Sequence, residues 1–151
     1  MKRPLYVEKI DDLLRSSPGL AGGFLGDDRR PVAEIVESDA VELARLGYAC
    51  RDVAERMRQI AGLAAGGLGS WVKIGRNTEA AMTDTRGVIS CPWPHAGVFP
   101  KTAVTVRQTD EGRAITWSAL NVHLIGEHGF FEGHGSPYRL DPDRLVAIIF
   151  C

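Results

Sequence analysis

The sequence predicts an α+β fold over residues 1–151, in which N-terminal helices pack on a C-terminal antiparallel β-sheet of about five strands. Two observations carry that class. Up to Gly67 the apolar residues recur mainly at helical spacing, and beyond Gly69 they alternate in short runs rich in β-branched and aromatic side chains. A third observation is the Gly, Asp and Glu clusters between the later runs, which mark chain reversals between neighbouring strands.

Pro4 suits the first turn of a helix, Tyr6, Ile10, Leu13 and Leu14 supply its apolar face, and Ser16-Ser17-Pro18-Gly19 stops it. Gly19 to Pro31 reads as a loop. Its glycines are followed by no Gly-Lys-Ser/Thr and contain no Gly-x-Gly-x-x-Gly, so the sequence implies no nucleotide cofactor. Pro31 to Glu37 fits a short helix or an edge strand. Asp39 with Glu42 has the form of a capping box, with Gly47 as the stop of the helix it would begin. A longer helix is expected at about residues 50–65, where Val53, Met57, Ile60, Ala61 and Ala64 share a face before Gly66-Gly67. The expected strands are Trp71 to Ile74, Val88 to Cys91, Thr102 to Thr109, Ala114 to Ile125 and Phe130 to His134. Asp141-Pro142-Asp143 resembles a helix cap, whereas Leu145 to Phe150 is β-branched enough for a strand; the cap favours helix.

With 44% hydrophobic and 25% charged residues the composition is that of an ordinary globular chain, and at this length one core can bury roughly 70% of the unfolded surface. The net charge of -1 gives no general attraction for phosphate backbones, so no nucleic-acid partner is expected. The N-terminus reaches Glu8, Asp11 and Asp12 without a long apolar run, which points to a cytoplasmic protein with no membrane partner. Cys50, Cys91 and Cys151 are odd in number and widely spaced, as expected of reduced thiols. Leu43 to Tyr48 with Asp52 to Met57 resembles the first two helices of a helix-turn-helix unit. Ile60 to Gly67, however, offers bases nothing to read, so the pair is expected to be a helical hairpin.

Candidate chemistry lies between Cys91 and His134. If Asp110-Glu111-Gly112-Arg113 closes a hairpin with Thr109 near Ala114, then Val104, Val106, Ile115, Trp117 and Ala119 share an apolar face. That face turns polar at Asn121 and His123, as at a pocket mouth. A second hairpin at Gly126-Glu127-His128-Gly129 would set His123 opposite Glu132 and Asn121 opposite His134. Two imidazoles and a carboxylate are a ligand set for a divalent metal, zinc above all. A one-residue bulge would dissolve the group. Cys91 and His95, in the rigid Cys91-Pro92-Trp93-Pro94-His95 segment, are candidates for further ligands. Trp117, Asn121 and His128 are candidates for contacts to a small molecule, and Glu127 or His128 for moving protons. A nucleophilic Cys91 is disfavoured, because Pro92 and Pro94 prevent a helix from starting beside it. The remaining aromatic residues, Trp93, Phe99, Phe130, Phe131 and Tyr138, are expected to be core more than pocket. The favoured function is a small-molecule or metal-binding domain, extending to a metal-dependent enzyme with its pocket at the end of the sheet. The alternative is a non-catalytic interaction or regulatory module with a protein partner.

Overall fold

The structure, a computed structural model, describes residues 10–14, 24–93, 95 and 97–150. It is α+β with antiparallel sheets, as the periodicities predict. Helix α1 is described at residues 10–14, with the rest of the helix expected from Pro4 outside the described residues. Then follow α2 (Val32–Arg45), α3 (Cys50–Ala65), β1 (Val72–Lys73), β2 (Thr78–Thr83), β3 (Val88–Ser90), β4 (Val98–Pro100), β5 (Ala103–Gln108), β6 (Ala114–Ser118), α4 (Ala119–His128) and α5 (Pro142–Ile149). Strands β1-β2-β5-β6 form one antiparallel sheet in that order, and β3 and β4 form a separate two-stranded one.

The segment after Pro31 is helix, and it runs without a break through Asp39. The capping box expected at Asp39 and Glu42 therefore does not form. Asp39 is buried instead, taking hydrogen bonds of 2.8 and 2.9 Å from the two terminal nitrogens of Arg139. An ion pair outcompetes a cap here because the carboxylate, once out of water, needs a full charge opposite it. Helix α3 occupies the expected span, buries Val53, Ala54, Met57, Ile60 and Ala64, and has the Asp52 carboxylate accepting from the Ala49 N–H at its start. The last segment is helix, with Asp141 before Pro142 as the cap pattern favoured.

The first hairpin closes with a connection two residues longer than expected, pairing Arg107 rather than Thr109 with Ala114. A shift of two preserves side-chain parity, so Val104, Val106, Ile115 and Trp117 still share a face. That face packs on α3 and α5 in one hydrophobic cluster. A second cluster joins α1, the 24–25 turn, α2 and Phe130.

The long strand expected from Ala114 to Ile125 is corrected: β6 stops at Ser118 and α4 begins. Ser118 caps it, its hydroxyl accepting from the Asn121 N–H at 3.4 Å while its own N–H donates to Asn121 Oδ1 at 2.9 Å. Gly129, with φ of 63°, ends it in the left-handed conformation. The expected second hairpin at 126–129 is thus a helix end, and Phe130 to His134 is loop rather than strand. Helix α4 lies between the two clusters, sending Val122 and Ile125 into one and Leu120 and Leu124 into the other. Among the described residues no helix is long and apolar enough to cross a membrane.

Candidate metal centre

Two elements bring four metal-ligating side chains together. The loop joining β3 to β4 supplies Cys91 and His95, and its ends are held by the Cys91 N–H donating to the Gly97 carbonyl at 3.1 Å. Helix α4, against which β4 packs, supplies His123 and His128. The ligand atoms all lie within 4.8 Å of one another, so this Cys/His cluster could hold a metal ion. The separations are informative. Cys91 Sγ is 3.5 Å from His128 Nε2, His128 Nε2 is 3.1 Å from His95 Nε2, and His95 Nε2 is 3.2 Å from His123 Nε2. A tetrahedral zinc with ordinary bond lengths would place two nitrogens about 3.3 Å apart and a sulfur and a nitrogen about 3.6 Å apart.

The electrostatics favour neutral imidazoles. Burial, reinforced by His123 and His95, pushes His128 down to about 4, and burial followed by His95 lowers His123. At neutral pH both rings therefore keep a lone pair available for a metal. Burial pushes the Cys91 thiol up, so a metal binding there would displace its proton. Neighbouring rings fix the ligands: Trp93 stacks on His128 with centroids 4.2 Å apart, and Phe99 lies 4.5 Å from the His123 ring. Cys91 is buried, the two α4 histidines are half-buried and His95 is exposed, so the cluster sits at the surface end of the second hydrophobic cluster.

No family model, curated protein or solved structure matches the chain.

The residues singled out in the sequence therefore separate into two places. Cys91, His95, His123 and His128 come together. Glu132 and His134 do not join them, because the strand and hairpin that would have carried them there are a helix and its cap. His134 is exposed, and its backbone N–H donates to Asp28 Oδ2 at 3.0 Å. Glu127 is exposed on α4, and no hydrogen bond places it as a proton carrier.

Glu132 is buried beside a cavity of about 410 Å³ that Trp117 and Asn121 also line. Its carboxylate accepts from Asn121 Nδ2 at 2.9 Å and from the Ser136 hydroxyl at 3.1 Å. Burial pushes it up to about 7, and the two donors hold it back from rising further. A second cavity, of about 550 Å³, lies on the other side of the sheet end and is lined by Phe99, Val122 and the metal-cluster residue His123. Concave surface thus lies beside the end of β6, formed with α4 and not with the long strand expected there. The expected aromatic core is divided: Trp117, Phe130 and Phe131 are buried, while Trp93 stacks on His128, Phe99 lies tilted against His123 and Tyr138 lines the smaller cavity.

Proposed function

We propose that this protein binds one zinc ion through Cys91, His95, His123 and His128, and that the metal fastens the β3–β4 hairpin to α4 as a wall of a small-molecule-binding domain. The observation that carries this reading is that three donor separations, of 3.5, 3.1 and 3.2 Å, match three of the six edges of a zinc tetrahedron, with all four donors within 4.8 Å of one another. One thiolate and three imidazoles complete four-coordination, leaving no position for water, which favours a structural role over a hydrolytic one. The location fits that role. The hairpin is a two-stranded sheet of three residues a side, too short to hold itself in place in water, and its strands contribute to the walls of both cavities through Ile89 and Phe99. Cross-linking it to α4 would fix those walls.

The test is elemental analysis of purified, untagged protein beside three variants. About one zinc per chain is expected in the wild type and in His134→Ala, and little in Cys91→Ser or in the His123→Ala, His128→Ala double variant. Cobalt substitution should give the strong visible bands of a tetrahedral site, with a thiolate charge-transfer band missing in Cys91→Ser. A wild type that takes up no zinc after incubation, or variants that keep it, would overturn the reading and turn attention to a protein partner.

A further inference from the structure

The Glu132 cavity is separate from the metal cluster and has a chemistry of its own. Its walls are largely apolar, with Phe24, Ile89, Ala103, Trp117 and Leu120 among them. Glu132 is only 3% exposed, and its backbone φ of 70° is one that few residues other than glycine adopt. A carboxyl group held in such a conformation at a cavity wall is a natural place to look for recognition.

The hydrogen-bond network is arranged to accept an ionised carboxyl group. Asn121 Oδ1 already accepts from both the N–H and the hydroxyl of Ser118, so its amide must turn Nδ2 towards Glu132 as a donor. The Ser136 hydroxyl accepts from the Tyr138 N–H and spends its own proton on Glu132. Both neighbours therefore donate, as an ionised carboxylate requires. Yet among the described residues no cationic side chain pairs with it. Arg139 comes near, but it reaches only the Glu132 backbone carbonyl and is held by Asp39 and Asp141. The other charged residue of the lining, Lys101, is exposed, and water screens it. Trp117, also in the lining, carries a buried indole N–H with no hydrogen-bond partner among the described residues.

We propose that this cavity binds a small molecule with an apolar body and a protonated nitrogen, the ammonium lodging against Glu132. The cavity supplies an anion already held by two donors, shielded from water, and lacking only its counter-charge. An apolar surface around one well-placed polar group is the usual composition of a small-molecule site.

The proposal is tested on the isotope-labelled 151-residue chain with two probes of similar size, phenethylammonium and neutral 2-phenylethanol. The readout is the Trp117 indole resonance, assigned by elimination with Trp71→Phe and Trp93→Phe. Phenethylammonium should saturate that shift and bind at least about tenfold more tightly than the alcohol, the difference expected of a hydrogen bond to a charged group. Glu132→Gln should bring the two probes level, with the fold checked by its unchanged backbone spectrum. Ala103→Phe, which fills the cavity without touching Glu132, should abolish binding of both while leaving zinc content unchanged. Equal affinities of the two probes for the wild type, no saturable shift with phenethylammonium, or full binding by Ala103→Phe would each overturn the proposal, whatever the metal content.

Discussion

Replacing Glu132 by Gln should change how stability depends on pH, and the size of the change follows from the site. The carboxyl group sits at about 7 in the folded protein against an ordinary value of 4.5, with burial as the main cause. At 1.36 kcal/mol per pH unit, ionising it in place costs about 3 kcal/mol relative to the unfolded chain. The folded state holds the proton more tightly, so between pH 4.5 and 7 it carries more protons than the unfolded state. Stability contributed by this group is therefore complete below 4.5, declines as pH rises through the window, and is gone above 7. Gln does not titrate. It also loses one well-matched hydrogen bond, because its amide nitrogen must face the Asn121 amide or the Ser136 hydroxyl, at a cost of about 1 kcal/mol independent of pH. Urea unfolding of both proteins from about pH 4 to about pH 8 gives the difference directly, and other titrating groups cancel in it. The variant should gain on the wild type by about 3 kcal/mol across the window, ending the more stable of the two above neutrality. A difference that stays flat with pH would refute the claim that Glu132 is buried without a counter-charge.

Three further outcomes are expected. Asp39→Ala should cost about 3–5 kcal/mol and lower the melting temperature by roughly 10 °C, because it leaves the buried Arg139 with only the surface carboxylate of Asp141. Asp39→Leu with Arg139→Met, which removes both charges, should recover most of that loss in the same thermal melt. Chelation should speed hydrogen exchange selectively in β3, β4 and the loop between them, and leave β5 and β6 protected; uniform loss of protection would mean that the metal supports the whole fold. Gly26→Ala should destabilise by more than about 2 kcal/mol in chemical denaturation, since φ is 58° there and a Cβ would come within 2.3 Å of the backbone of Gly135 and Ser136.

The parts of the fold that were legible are those where local pattern and final environment agree. Helix α3 has one apolar face and one charged face, and its ends could be read almost to the residue. The face shared by Val104, Val106 and Trp117 was also legible, because parity survives a two-residue error in register. Helix α4 is not legible in this way, and neither is the Cys/His cluster that depends on it. Leu120, Val122 and Leu124 alternate like a strand because the helix is buried on two sides, between two clusters, and has no single apolar stripe. The signals that could have found it were Ser118 with Asn121 three residues on and Gly129 after His128, a cap at each end of ten residues. Read as helix, that segment carries His123 and His128 away from Glu132. Strand β2 escaped notice because Thr78-Glu79-Ala80-Ala81-Met82-Thr83 has low strand propensity and is held by pairing with β5. Asp39 looked like a cap because sequence offers no view of Arg139, a hundred positions away.

The wall that carries Glu132 is assembled from the two ends of the described chain. The Gly133 N–H donates to the Phe24 carbonyl at 2.8 Å, and Gly26 and Gly135 let the 24–28 turn and the 133–136 loop meet backbone to backbone. Contacts of such long sequence separation carry the largest loop-closure cost. The cavity wall therefore depends on contacts that close one of the longest loops of the chain. A chain cut short before residue 133 would lose that wall and, with it, α5, which packs on the sheet in the first hydrophobic cluster. Helix α4 joins the two regions, giving His123 and His128 to the Cys/His cluster and Leu120 and Asn121 to the cavity.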